Sequence, residues 1–184
     1  CNIPAGHTAI CFVGFEAGAG STLTTLTDTA GGTWAIAIQQ INALGDPAGG
    51  IAYALNHPGG ASVVVTANIS ASSGFSNIDV MSFDGGGAGV DGTPTSSEAS
   101  VGVTFACGAI TTTGAGFVVE FLAGFQLCTG VAAGGTPTFA RDTVTENASG
   151  TCFGQRLLSA SAQTVTPGAS WGASGDRYAF MAAA

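Results

Sequence analysis

Lysine is absent from this sequence, and its only fixed cations are Arg141, Arg156 and Arg177, set against eleven carboxylates. Charged residues make up 8% of the chain, where ordinary soluble proteins carry about 25%. A net charge of −8 repels phosphate backbones, so nucleic-acid binding is excluded as a function class, and so is attraction to an anionic membrane surface. Long apolar runs are missing too. The longest, over residues 117–125, is interrupted by Glu120 and falls far short of the roughly 20 residues a membrane helix needs. No Cys-x-x-Cys pair and no Cys/His cluster occurs, which removes zinc sites, because no two thiolates have the spacing that puts both on one ion. With two histidines, His7 and His57, groups that act as bases near neutral pH are scarce. No signal-peptide pattern opens the chain, as expected of a mature product.

Apolar residues at 46% exclude a disordered chain, and 184 residues suit a single domain over 1–184 with one large core. Segments rich in Val, Ile, Thr, Phe and Ala recur between Gly, Asn and Asp clusters, the rhythm of an all-β domain. The pattern predicts strands near 7–16, 22–27, 33–41, 51–56, 61–69, 77–84, 99–106, 116–127, 137–145, 152–158, 161–166 and 176–183. "DTAGGTW" and "NHPGG" are expected turns, and "TWAIAIQQINAL" is the one stretch that could be forced into a short helix. About a dozen strands around one core imply two packed antiparallel sheets, since a single open sheet leaves an apolar face wet. "CNIPAGHTAICFVGFEAG" and "CGAITTTGAGFVVEFLAG" are alike, which points to two related halves of a sandwich of jelly-roll type.

The succession "IPAGHTAICFVGF", "LTTLTDTAGGTWAIA", "IAYALNHPGGASVVVTANIS", "NIDVMSFDGGGAGVDGTPTSS", "GAITTTGAGFVVEFL" and "GDRYAFMAAA" resembles the jelly-roll β-sandwich modules of bacteriophage tail or virion proteins and bacterial surface proteins. Each motif is a strand or turn signature, and together they cover nearly the whole chain. Such modules usually carry one more strand ahead of the segment like "NIPAGHTAI" and a basic residue after the last strand. Both are missing here. The resemblance therefore implies an edge that invites a strand from a neighbouring subunit.

Five cysteines without a metal pattern suggest disulfides and an oxidising compartment. The expected pairs are Cys128 with Cys152, which flank neighbouring strands, and Cys1 with Cys107, which head the two similar segments. Cys11, inside an apolar run, is left as a buried thiol. Gly87-Ala88-Gly89-Val90-Asp91-Gly92 spells the dinucleotide-binding glycine pattern, but that loop must open a helix, and "TPTSSEASVGVTF" leads into a strand. Gly168-Ala169-Ser170-Trp171-Gly172 spells a hydrolase nucleophile elbow, yet no histidine follows Ser170. Asp79, Asp84, Asp91 and Glu98 are the carboxylates that paired acid–base work would draw on. Asp84 and Asp91, on a glycine-rich loop, are candidate calcium ligands, and no other cofactor is expected. Trp171, in the expected loop "PGASWGASGD", is the candidate contact for a ligand or partner. Asn68 and Asn147 head glycosylation sequons.

The sequence thus predicts a non-enzymatic structural protein that packs against copies of itself through sheet edges and charge-poor faces. Its expected setting is an extracellular filament, a cell surface, or a virion or tail surface. The alternative is a module that binds a carbohydrate or receptor with its glycine-rich loops.

Overall fold

The computed structural model describes residues 1–16, 21–41, 48–71, 76–84, 89–91, 95–99, 102–125, 132–147, 150–175 and 177–183. Among them there is no helix, and every strand pairing is antiparallel. The first six strands are β1 (Thr8–Phe15), β2 (Leu23–Asp28), β3 (Trp34–Ile41), β4 (Ala48–Ala54), β5 (Val65–Ile69) and β6 (Ser76–Phe83). The remaining ten are β7 (Thr95–Ala99), β8 (Gly102–Ala106), β9 (Ile110–Thr111), β10 (Gly116–Phe125), β11 (Ala132–Ala133), β12 (Ala140–Asn147), β13 (Gly150–Ser159), β14 (Thr164–Val165), β15 (Gly168–Gly175) and β16 (Arg177–Ala183). "WAIAIQQI" is strand, because its Ile and Ala side chains settle between layers, and the helical alternative for that stretch falls.

Two large sheets, in the orders β3-β4-β1-β6 and β12-β13-β10-β16-β7, lie face to face, each backed by a smaller one, β2-β5 and β11-β15-β8 respectively. The short pair β14-β9 completes the set. Instead of two sheets, the described strands therefore form five. The arrangement explains why β1 reads as an unbroken apolar run. Ile10 and Phe12 enter the central core with Ile51, Phe83, Val119, Phe121 and Ala123, while Cys11, Val13 and Phe15 turn the other way, onto Leu23 and Leu26 of β2. A strand buried on both faces has no position left for a polar residue. Across the central core Phe12 stacks on Phe121 (centroids 5.2 Å apart, planes within 2°), and Phe83 stacks on Phe117. Each buried aromatic contributes about 1.5–3 kcal/mol of burial free energy, with the stacking adding about 0.5–1.5 kcal/mol.

The two halves share one topology. In each, the third, fourth, first and sixth strands build the large sheet and the second and fifth build the small one; the second set is β10, β11, β12, β13, β15 and β16. Phe12 corresponds to Phe121, since each sits mid-strand between its fourth and sixth neighbours and each enters the shared core. Cys11 then corresponds to Glu120, and Ala52, opposite Cys11, to Gln155, opposite Glu120. The second half adds β7 beside β16 and β8 beside β15.

Candidate functional site

The most connected polar centre in the first half is Asp28, at the end of β2. Its Oδ1 accepts from the backbone N–H groups of Ala30 (2.7 Å) and Gly32 (3.2 Å), closing the turn that "DTAGGTW" announces. Its Oδ2 accepts from Trp34 Nε1 (2.6 Å), Gly32 N (3.1 Å) and His57 Nε2 (3.2 Å). His57 arrives from the "NHPGG" turn after β4, where Asn56 takes a left-handed φ of 47°. That turn is pinned to the chain entering β1: His57 N donates to His7 O and Gly6 N donates to His57 O, both at 2.9 Å. His57 Nδ1 accepts from Gly59 N at 2.9 Å, which fixes the ring proton on Nε2, facing Asp28. A Cβ on Gly32 would lie 2.5 Å from Asp28 Oδ2 and 2.6 Å from His57 Cδ2, so only glycine fits between them.

Burial opposes ionisation of Asp28, but the donors of Trp34, Gly32, Ala30 and His57 outweigh it and hold the carboxyl down at about 2. The aspartate is thus charged and served on every side. An Asp–His pair is the geometry of acid–base machinery, yet here both ring nitrogens are committed and both side chains are sealed from solvent. No nitrogen remains to move a proton to or from a substrate. The pair clamps two turns together.

The second half holds an opposite case. Glu120 of β10 is fully buried beside its register partner Gln155, whose amide is spent on Gly168 O (2.7 Å) and Gly134 N (3.3 Å). Neither carboxyl oxygen of Glu120 finds a hydrogen-bond partner. Burial pushes this carboxyl up to about 8, with the nearby Gln155 side chain and Gly168 backbone offsetting it only in part. At neutral pH it is a carboxylic acid.

Asp84 is exposed, with one oxygen 4.0 Å from His7 Nε2. Asp91 instead receives Thr113 N and Thr113 Oγ1, both at 2.7 Å; these bonds hold its carboxyl below the usual range and tie the segment after β6 to the one before β10. Among the described residues no three His, Cys, Asp or Glu side chains gather as a metal-ligand set. Glycine-rich residues 85–88 and 92–94 lie outside the described residues, and the chain beyond them enters strand β7, the extended continuation a dinucleotide loop does not have. Trp171 and Ser170 belong to strand β15, so the loop expected around Trp171 is a strand. Asn68 is exposed on β5 and donates Nδ2–H to Thr25 Oγ1 at 3.0 Å. Asn147 ends β12, opposite Gly150.

Cysteine pairing by segment likeness fails. Cys1 carries a free thiol whose Sγ lies 3.4 Å from Val63 O, so the Cys1–Cys107 bridge is not formed. The reason lies in the register: matching Phe12 to Phe121 sets Cys1 level with Ile110, not with Cys107. Cys128 lies outside the described residues, and Cys152 stands in β13 opposite Ala123. Cys11 is buried as expected, its thiol pushed up to about 12, mostly by burial and further by Asp79.

Sequence reasoning found both turns of the Asp28 clamp but not their union, which depends on β2 and β4 ending at the same level. It also noted Glu120 only as an interruption of an apolar run. In comparisons with known proteins, the chain matches no family model, no curated protein and no solved structure at a significant level.

Proposed function

We propose that this chain is a non-enzymatic structural subunit, a β-sandwich of jelly-roll type that assembles with copies of itself on an extracellular, cell or virion surface, as part of a filament, tail or coat. One observation carries the reading. Strands β3, β5 and β6 stand at sheet edges, each with one strand neighbour among the described residues, and between them they bear one charge, Asp79. Proteins that live as monomers blunt such edges with lysine, proline or inward-facing charge. Here β3 offers "WAIAIQQI" with a single irregularity between Ile36 and Ile38, and β5 offers "VTANI", the one irregularity of its ladder falling on β2 between Leu23 and Thr25. Of the polar groups that could have served chemistry, Asp28 and His57 are sealed from solvent and clamp two turns together, and Glu120 is buried.

Assembly through main-chain edges suits a protein without lysine, since it needs no ion pairs and is insensitive to salt. The surface setting rests on this composition and not on the thiols. Sedimentation across a hundredfold range of concentration tests the proposal, with association expected to grow with concentration and to persist at high salt. A monomer throughout that range overturns it.

A further inference from the structure

The internal duplication shows where a strand fits. In the second half the chain from β8 to β9 runs antiparallel along β14 and β15: Thr112 N donates to Gln163 O (2.9 Å), Ile110 lies opposite Val165, Cys107 N donates to Pro167 O (3.1 Å), and Phe105 lies opposite Ala169. The first half begins the same ladder, with Ile3 N donating to Gly60 O (3.0 Å) and Val63 N donating to Cys1 O (2.9 Å). Beyond Val63 the far edge of β5 has no neighbour among the described residues. Burial records the difference. Pro167, Gly168 and Ala169 are buried beside β8, whereas Val64 is 59% exposed and Thr66 and Asn68 are exposed.

The main chain of β5 is aimed to receive a partner. Val64 N and O are spent on Thr29 (3.1 Å each) and Ser70 N on Thr22 O (2.9 Å), so the even-numbered residues face β2. Alternation turns the N–H and C=O groups of Val65, Ala67 and Ile69 toward the open side.

Resting on the assembly reading above, we propose that this edge joins copies: β5 pairs antiparallel with β5 of a second copy about a two-fold axis at Ala67, fusing two small sheets into one, β2-β5-β5-β2. The segment is complementary to itself in that register. Val65 meets the second copy's Ile69 on the inner face, where both already lie against the core of β1 and β2. Thr66 meets Asn68 on the outer face, Ala67 meets Ala67, and β5 itself carries no charge. The rungs at 65, 67 and 69 are the ones whose main-chain groups point outward, and each such pair exchanges two hydrogen bonds.

Sedimentation of the whole chain and three variants tests this, with circular dichroism to verify folding. Ala67→Pro removes one outward N–H and leaves the bonds to β2 intact; the dissociation constant of the pair is expected to rise at least tenfold. The double variant Thr66→Lys with Asn68→Lys, and the double variant Thr66→Glu with Asn68→Glu, should each stay monomeric, and mixing the two should restore association. Association of the unaltered chain that none of these changes weakens overturns the β5 edge while leaving self-assembly standing. A monomer at every concentration overturns both. Slow amide exchange at Val65, Ala67 and Ile69 in such a monomer identifies a segment of the same chain as the occupant of the edge.

Discussion

The first half of the chain places Asp28 at the end of its second strand, and the second half places Gly134 at the equivalent level, where a Cβ would strike the Gly168 carbonyl at 2.8 Å. One rung of the large sheets shows the reverse trade: Cys11 beside Ala52 in the first half, Glu120 beside Gln155 in the second. The same gap between a large and a small sheet is thus closed in two ways. The first half keeps its strand pair small and apolar and fills the corner with an ionised acid, a histidine and a tryptophan. The second brings strand and turn into backbone contact at Gly134 and lets a long amide and a neutral acid fill the space. Topology fixes that a gap exists, while side chains decide whether a charge can stay in it.

The largest test of that difference is Asp28→Ala. It strands the donors of Trp34, His57, Ala30 and Gly32 in a sealed corner, and urea unfolding should register a loss on the order of 4 kcal/mol. Gly134 shows that the topology itself needs no acid there, so a loss below about 1 kcal/mol would mean that the donors find water. Next come the residues the halves share. Phe12→Ala and Phe121→Ala should each cost about 3–5 kcal/mol, and the double variant should cost less than their sum by about 0.5–1.5 kcal/mol, the stacking term. Full additivity would show that the rings do not couple.

The two acids should then tilt stability in opposite directions with pH. Asp28 sits below its unfolded value, so its contribution is complete above about 3.8 and is lost as pH falls toward 2, on the order of 2 kcal/mol in all. Glu120 sits above its unfolded value, so its contribution is complete below about 4.5 and drains away as pH rises toward 8. Chemical denaturation should therefore show a maximum near pH 4–5. Glu120→Gln should flatten the alkaline side and leave the acid side in place; an unchanged alkaline slope would assign it to other groups. The smallest effect is expected from Asp91→Ala, which should do no more than speed amide exchange at Thr113.

Strands with a clear apolar pattern were legible from composition alone. β1, β6 and β10 lie within a residue or two of expectation, because burial on at least one face writes itself into the sequence. β15 was not, since "GASWGASG" alternates nothing and owes its extended form to neighbours on both sides. The likeness of the two cysteine-led segments correctly pointed to related halves. It misled over the thiols, because likeness at the start of a segment does not fix register, and register alone decides which atoms meet. The Asp28 clamp was half visible: both turns stand out by their glycines, but the bond between them spans 29 residues and depends on tertiary geometry.

The stacked Phe12 and Phe121 occupy matching places in matching halves, so the central interface is a surface meeting its own likeness. A single repeat, freed from its twin, would expose that aromatic face and satisfy it only by finding another of its kind. The covalent chain therefore encloses what is, in shape, a homodimer, and it explains why both large sheets could grow greasy on the side that never sees water.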